Sequence, residues 1–340
     1  MIRIKYITHA MRCGHSAAEE SFPWDDCLFI SDGDCRDYDW AVVYDDMPRR
    51  DIGTIRNETE ELCCPPERTI LVTAEPPSIK IYPKEFTRQF GYVLTTHAAR
   101  FLPHRNHRFG HGCLHWMAGY PMEEVLAMPE YPKSRELSTV CSSKQQKHTQ
   151  HYRRYLLTKY LAEQLPQLDW YGRGVRELKR KYDALNAYKY HIAVENYLND
   201  YHWTDKISDP ILGLCLTFYA GDSKLGDYLP PESFIPIPLD NPPEALRIIR
   251  TAMDNNEYEK RLPAIREARR LIVTKYNMYA QVVDLIHEHM AKPESGKDVV
   301  VPGTMLRGRH TLRRHPLNAL SEFVQLADYK IHALLDPVKH

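Results

Sequence analysis

The chain has 340 residues and a mass of 39.8 kDa, a length that favours about two domains of roughly 150 residues each. Lys plus Arg and Asp plus Glu each number 45, so the formal net charge is zero and no overall field favours nucleic acid or an anionic membrane as a partner. Hydrophobic residues make up 43% of the chain and charged residues 26%, which excludes a mini-protein and a mainly disordered chain.

The N-terminus alternates apolar and polar residues over 2–7, which predicts a strand. No apolar run is long enough for a signal peptide or for the ~18 residues of a membrane span. We therefore expect a soluble, cytoplasmic protein without a transmembrane segment. The eight cysteines form no CxxC pair, so we expect free thiols.

Short β-rich runs alternate with helical stretches along most of the chain, which predicts an α/β fold with largely parallel sheets. The predicted strands are 2–7, 40–44, 69–73, 91–95, 137–141, 190–194 and 216–220. Leu157, Leu161 and Leu165 recur every four positions and predict a helix within 149–165. A strand at 168–172 then completes a βαβ unit.

The second half begins with the same alternation and ends in helices. Apolar residues at helical spacing from Tyr258 to His289 predict one long helical element, with Pro263 as the candidate interruption. A linker is predicted at 293–303 and a final helix at 317–335. The polar run 142–149 is the predicted domain boundary.

Two nucleotide-binding fingerprints are absent from the sequence. Gly221 and Gly226 have the spacing of a phosphate loop, but Asp227 follows where Lys-Ser/Thr is required. No GxGxxG motif opens a βα unit. A phosphate-loop NTPase and a dinucleotide oxidoreductase are therefore disfavoured.

Four histidines have spacings of three, four and four residues, which would place them on one face of a helix like zinc ligands. They are His104, His107, His111 and His115. Glycines interrupt this run and no HExxH glutamate accompanies it, so a polar loop is favoured and a His-cluster metalloenzyme is the lesser alternative. The set Cys13, His15, Cys27 and Cys35 matches no compact zinc knuckle. We expect no metal.

Residues 188–237 contain the most informative pattern. The strand 190–194 ends in Glu195-Asn196, and Thr204-Asp205-Lys206 follows where a helix begins. At the carboxyl edge of a parallel sheet these groups would face a ligand crevice. Thr204 would cap the helix, Lys206 would add positive charge for a phosphate, and Asp205 could accept hydrogen bonds from sugar hydroxyls. The alternative is an ordinary capped helix start in solvent.

This segment resembles the donor-binding motif of the α-1,3-fucosyltransferases, glycosyltransferase family 10. The family's pattern runs Y-K-F, E-N, a short loop, T-E-K, an apolar strand, G and S-F-I. The matching residues are Tyr188-Lys189-Tyr190, Glu195-Asn196, Thr204-Asp205-Lys206, Gly221 and Ser233-Phe234-Ile235. Asp205 replaces the family's glutamate, and His202 stands at the usual tyrosine position, with Tyr201 one residue earlier.

Two further matches lie upstream of this motif. Arg154 and the residues that follow it, through Asp169 and Gly172-Arg173, resemble the family's R…L…L…D-x-(F/Y)-G-R layout, which implies that Arg154 contacts the donor diphosphate. The run 74–78 is similar to the family's E-S-P-S motif, with Pro76 in place of the first serine. The resemblance implies that Glu75 is the catalytic base.

The resemblance implies a GT-B fold, in which two Rossmann-like domains face a central cleft, with a C-terminal helical extension. Residues 1–147 would bind the acceptor, residues 148–292 the GDP-sugar donor, and residues 293–340 would form a linker and helix. The implied reaction is inverting transfer of L-fucose from GDP-fucose to a hydroxyl of a glycan acceptor, with no cofactor. The implied donor-binding residues are Arg154, Glu195, Asn196, Tyr201, His202, Thr204, Asp205 and Lys206.

Two alternatives remain open beside this reading of the motif. One keeps the fold and the chemistry but uses another sugar nucleotide, because Asp205 and His202 depart from the family's donor loop. The other is a non-catalytic module that binds a glycan or a nucleotide. The sequence does not indicate the oligomeric state.

Overall fold

The structure is a computed structural model that describes residues 1–8, 21–48, 50–52, 55–110, 122–146, 150–293 and 298–335. The strands are β1 Ile2–Thr8, β2 Ser21–Trp24, β3 Cys27–Ile30, β4 Trp40–Tyr44, β5 Arg50–Ile52, β6 Ile55–Asn57, β7 Thr59–Glu61, β8 Thr69–Val72, β9 Tyr92–Thr95, β10 His107–Phe109, β11 Arg135–Val140, β12 Leu168–Tyr171, β13 Tyr188–Val194, β14 Leu216–Ala220, β15 Phe234–Pro236 and β16 Met305–Arg307. The helices are α1 Lys84–Thr87, α2 Met122–Ala127, α3 His151–Gln164, α4 Asp205–Leu212, α5 Pro242–Asp254, α6 Glu257–Thr274, α7 Met278–Met290, α8 Arg309–Arg313 and α9 Pro316–Leu335.

The chain forms two compact units. The first unit contains Met1–Cys113 and Asn277–Pro337, and the second contains Leu114–Tyr276. These limits differ from the predicted boundaries at 147 and 292. Strand β11 pairs with β13 and therefore belongs to the second sheet. Strand β16 pairs antiparallel with β7, which attaches the C-terminal segment to the first unit.

The first unit contains a seven-stranded sheet in the order β10-β9-β8-β4-β1-β3-β2. Every neighbouring pair is parallel except β2 with β3. Strands β4, β8 and β9 are buried along their whole length, which is typical of central strands in a parallel sheet that is covered on both faces.

The second unit contains a five-stranded sheet in the order β12-β11-β13-β14-β15, and every pair in it is parallel. Its core joins residues of β13 and β14 to the apolar stripe of α3, including Leu157 and Leu161. Parallel strands joined by helices confirm the predicted α/β class, and two Rossmann-like units in one chain are what the GT-B class requires.

The predicted long helix of residues 258–289 is instead two helices, α6 and α7. The break lies at 275–277 and not at Pro263, which is inside α6. Asn277 begins α7 as its N-cap, because its side chain accepts a hydrogen bond from the Ala280 backbone N–H at 2.9 Å. The two helices belong to different units.

No helix in the described part of the chain combines the length and the apolar character that a membrane crossing requires. Six of the eight cysteines lie in that part, and all six are free thiols, as expected.

Candidate functional site

The second sheet brings the two halves of the donor-like motif together at its carboxyl edge. Glu195, directly after β13, is fully buried. Its carboxylate accepts hydrogen bonds from the Thr204 backbone N–H at 3.0 Å and from the Thr204 hydroxyl at 2.8 Å. The Tyr219 hydroxyl donates to the same group at 3.4 Å. These donors compensate a carboxylate that burial would otherwise destabilise.

Helix α4 begins as the sequence predicts, with Thr204 as the N-cap. The Thr204 hydroxyl accepts from the Lys206 backbone N–H at 3.3 Å. The Lys206 ammonium lies 3.5 Å from the Glu195 carboxylate and 3.7 Å from the Asp205 carboxylate. A positive charge therefore stands at a helix N-terminus, which favours an anion there, but two protein carboxylates already share it.

Lys181 holds the first turn of α4 from outside the motif. Its ammonium lies 2.6 Å from the Asp205 carboxylate and 2.8 Å from that of Asp209. Burial acts to raise the pKa of Asp205, but Lys181 and Lys206 hold it below the usual value. Burial acts to lower the pKa of Lys181, and the two carboxylates outweigh it and raise that pKa. Asp205 thus anchors the helix, with one oxygen paired with Lys181 and the other near Lys206.

Arg154 is the fourth residue of α3 and is 8% exposed. Its Nε is buried without a hydrogen-bond partner, and no ion pair joins Arg154 to another residue that the structure describes. The adjacent Arg153, in contrast, donates to Asp240 at 2.8 Å. A buried guanidinium nitrogen without a hydrogen-bond partner is destabilising in the free protein, so this position fits an anionic ligand.

The remaining predicted residues differ in how accessible they are. Asn196 is half-buried immediately after Glu195. Tyr201 has a left-handed backbone, with φ of 67°, and stays half-buried. His202 is 1% exposed and packs edge-on against the Tyr197 ring at 5.1 Å. His202 is therefore part of the interior, whereas Asn196 and Tyr201 are within reach of a ligand.

Gly221 and Asp222 complete this edge of the sheet after β14. A Cβ at Gly221 would lie 2.2 Å from the end of the Tyr219 side chain, so any larger residue there would displace the hydroxyl that donates to Glu195. Asp222 is 4% exposed and accepts from the Lys224 backbone N–H at 2.8 Å. Burial raises the pKa of Asp222 to about 6. No motif indicated Asp222 or Lys181, although Asp222 directly follows a strand and its glycine, where ligand groups collect.

In the first unit, Glu75 lies three residues beyond the end of β8, and its side chain is exposed. The backbone around it is held firmly. The Ala74 and Glu75 N–H groups donate to the Tyr82 hydroxyl at 2.9 and 3.3 Å, and that hydroxyl donates to Asp45 at 2.5 Å. Pro76 follows and restricts the chain further. The loop therefore presents its carboxylate on a fixed backbone.

His97, two residues beyond the end of β9, holds the same loop. Its Nε2–H donates to the Glu75 carbonyl oxygen at 2.8 Å. Burial lowers the pKa of His97 to about 4, so the ring is neutral at neutral pH. With this N–H committed to the Glu75 backbone, His97 acts as a positioning group for the loop.

The two described members of the histidine cluster, His104 and His107, do not lie on a helix. His104 lies in a loop, and its Nε2–H donates to the Phe90 carbonyl at 3.0 Å. His107 lies in β10 and donates to the His97 carbonyl at 2.9 Å. The other two members, His111 and His115, lie outside the described residues.

The structure describes only two of the four residues in the candidate cysteine–histidine zinc set. Cys13 and His15 lie outside the described residues, while Cys27 is buried and Cys35 is half-buried. Within the described ranges, one group of three side chains has metal-ligand geometry and consists of Asp26, Cys27 and His287. His287 already pairs with Asp26 at 2.9 Å, and burial raises the pKa of the Cys27 thiol to about 12. A thiolate ligand is therefore disfavoured there.

No family model matches the chain, and no curated protein matches it. Among solved structures, it is similar to an α1,3-fucosyltransferase with GDP-fucose at 15% identity, over 70% of this chain and 72% of that one, with a TM-score of 0.40. A structure of α1,3-fucosyltransferase with GDP gives 15% identity over 77% and 81% at a TM-score of 0.42. Sucrose-phosphate synthase from Thermosynechococcus elongatus gives 8% identity over 82% and 87% at 0.39. A likeness at this level establishes neither a family nor an activity for this chain.

Proposed function

We propose that the protein is a glycosyltransferase that binds a nucleoside-diphosphate sugar at the carboxyl edge of the second sheet and transfers the sugar to a hydroxyl of a glycan acceptor. The observation that carries the proposal is Arg154 near the start of α3, whose side chain is 8% exposed and whose buried Nε has no hydrogen-bond partner in the described chain. The strands before α3 and α4, β11 and β13, are direct neighbours. Both helices therefore begin at the edge where ligands of parallel sheets bind.

The donor assignment is L-fucose from GDP-fucose, and it rests on the order of motif residues from Tyr188 to Ile235. The diphosphate would bind Arg154, Lys206 and the first N–H groups of α4. Asn196 and Tyr201 would contact the rest of the donor. Glu195 and Asp205 act differently, because their carboxylates hold Thr204, Lys206 and Lys181 in place.

In the proposed reaction, Glu75 takes the proton of the acceptor hydroxyl while that oxygen attacks the anomeric carbon. The bond between the anomeric carbon and the diphosphate oxygen breaks, and the diphosphate leaves with the electron pair. Attack from the face opposite the leaving group inverts the configuration. Arg154 and Lys206 stabilise the negative charge on the leaving group, a role that fixed cations fill without solvent reorganisation.

The test begins with calorimetric titration of the intact chain with GDP, UDP, GDP-fucose and GDP-mannose. The proposal expects GDP-fucose and GDP to bind in preference to UDP, and GDP to be released when a glycan panel is added with GDP-fucose. If another sugar nucleotide binds more tightly and its sugar is transferred, the protein is still a glycosyltransferase but its donor is not GDP-fucose. Binding without transfer to any glycan would indicate the non-catalytic module. Absence of nucleotide binding would overturn the proposal.

A further inference from the structure

Helix α9 uses one face to pack against the described part of the first unit, and its opposite, apolar face stays exposed there. The used face packs on the first unit. Tyr329 is 6% exposed and stacks edge-on against Phe101 at 5.3 Å. Gln325 accepts from the Lys84 backbone N–H at 3.0 Å, and Glu322 pairs with Arg309 at 2.9 Å. These contacts fix the rotation of the helix about its own axis.

The opposite face repeats apolar residues at alternating spacings of three and four. We call these residues the α9 seam, and they are Leu317, Leu320, Val324, Ala327, Ile331 and Leu334. At 100° per residue the seam lies on the far side of the helix from Tyr329. Its five large members remain exposed, at 69% for Leu317, 59% for Leu320, 58% for Val324, 56% for Ile331 and 80% for Leu334.

A strict three-four repeat from Leu317 to Leu334 is the pattern of a coiled coil, in which a second helix covers the seam. A globular core face would be wider and less regular. Single exposed apolar residues need no explanation, but a continuous stripe about 25 Å long indicates a partner surface.

We propose that the α9 seam is a dimerisation surface, on which a second copy of this chain lays its own seam about a two-fold axis. A two-fold interface is self-complementary, and a seam repeating the same aliphatic positions along its length satisfies that requirement. This surface lies entirely in the first unit, so the proposal is independent of the proposed donor site.

The surface area that the α9 seam would bury is large enough for a stable dimer. Full burial of an aliphatic or aromatic side chain removes roughly 60–120 Å² from water. The large seam residues, with Phe323 and Leu335 at its borders, are each 56–80% exposed. Two copies would together bury on the order of 1,000 Å², which is where specific interfaces begin.

The charges on α9 favour a second copy over an anionic membrane. A helix that lies on such a membrane has Lys and Arg along its polar face. The α9 helix has one cation, Lys330, against the carboxylates of Glu322 and Asp328. Asp328 borders the seam, where it would meet anionic headgroups.

The experiment is sedimentation velocity of the full chain across a concentration series. The wild type is expected to sediment at twice the 39.8 kDa of one chain, with dissociation at roughly micromolar concentration. Val324→Lys is expected to raise the dissociation constant at least about 100-fold, because it places two ammonium groups in the centre of the interface. Val301→Lys is the matched control, since Val301 is 54% exposed in the same unit and lies outside the seam; it should remain dimeric.

Circular dichroism checks that Val324→Lys remains folded, and Ile331→Lys is the second variant if it does not. A wild type that stays monomeric at about 100 μM overturns the proposal. A dimer that survives both seam substitutions also overturns it. A further experiment tests whether the protein floats with phosphatidylcholine–phosphatidylserine vesicles. If the wild type is a monomer that floats with the vesicles, and Val324→Lys abolishes this binding, the α9 seam binds a lipid surface and the dimer proposal is overturned.

Discussion

The two candidate regions lie at the carboxyl edges of different parallel sheets, and they differ in how their side chains are supported. In the second unit, Glu195, Thr204 and Lys206 form one buried network, and Lys181 anchors it. In the first unit, the backbone of Glu75 is held, but its carboxylate is exposed. A substitution in the buried network also disturbs the residues that are bonded to it, so it should change both stability and donor binding. A substitution of the exposed Glu75 carboxylate should change only the reaction step in which that carboxylate takes part. Variants in the two regions should therefore separate binding from turnover.

The largest expected effect is on turnover in the first unit. Glu75→Gln removes the proposed proton acceptor without changing the shape of the loop, so transfer should fall by about 10²–10⁴-fold. Affinity for GDP-fucose should stay the same, because the carboxylate acts on the acceptor. Transfer rates and calorimetric titration of the same preparation measure both.

Glu67→Gln provides a matched control for Glu75. Glu67 is also exposed, but it lies before β8, at the opposite end of the strand that Glu75 follows. Its substitution should leave transfer unchanged. A Glu75→Gln variant that keeps more than about a tenth of wild-type transfer would exclude Glu75 as the base.

The second effect is on the stability of the network in the second unit. Lys181→Met leaves the carboxylates of Asp205 and Asp209 without their shared cation, which should lower the free energy of unfolding by about 3 kcal/mol. Lys189→Met is the control, because Lys189 pairs with Glu259 at a more exposed position and should cost less than about 1 kcal/mol. Urea denaturation measures both, and equal losses would contradict a special role for Lys181.

The same network has a defined pH dependence. The folded pKa of Asp205 lies below its usual value of 3.8, so its contribution to stability is present above that pH and is lost as the pH falls further. The wild type should lose more of its unfolding free energy below pH 4 than Lys181→Met does. Parallel acid titrations of the two proteins would contradict this.

The third effect ranks the two cations of the donor site. Arg154→Met should weaken GDP binding by roughly ten- to hundred-fold, as expected for loss of a charge-assisted contact. Lys206→Ala should weaken it less, because Glu195 and Asp205 already share that charge. Lys159→Ala, on the exposed side of α3, is the control. Calorimetric titration with GDP gives the order, and unchanged affinity in both variants would remove the donor site.

Arg154→Met should also stabilise the nucleotide-free protein slightly, because it removes a buried Nε that lacks a hydrogen-bond partner and keeps an apolar side chain of similar length. Thermal unfolding without nucleotide measures this. A clear loss of stability would mean that Arg154 has a structural role in the free protein.

The smallest effect concerns the support of the Glu75 loop. His97→Leu removes the donor to the Glu75 carbonyl and should lower transfer by about ten-fold with unchanged GDP affinity. His97→Gln, which keeps an N–H donor, should restore part of the lost transfer activity.

His97 also gives the stability a defined pH dependence. Because the folded pKa of His97 is about 4, below its usual 6.5, the contribution of the neutral ring to the free energy of unfolding is complete above pH 6.5 and is lost as the pH falls towards 4. The His97→Leu variant should lack that component, and identical pH profiles would contradict the assignment.

Local patterns in the sequence determined much of the architecture. All eight predicted strands are present, and helix α3 follows the spacing of Leu157 and Leu161. Thr204 caps α4 as predicted, because an N-cap depends on residues adjacent in the chain. The order of strands, and the division into units at 113 and 276, depend on pairing between distant segments. No local pattern encodes such pairing.

The candidate site divides in the same way. The sequence by itself determined that Glu195 and Thr204-Asp205-Lys206 occupy a strand end and a helix start. Only the tertiary structure decided that Lys181 pairs with Asp205, that His202 is buried and that Arg154 lacks a partner. Spacing along the chain fixes which element holds a residue and which face it occupies. Burial and charge pairing depend instead on residues that folding brings near from elsewhere, and these set the pKa of Asp205 and the availability of Arg154 to a ligand.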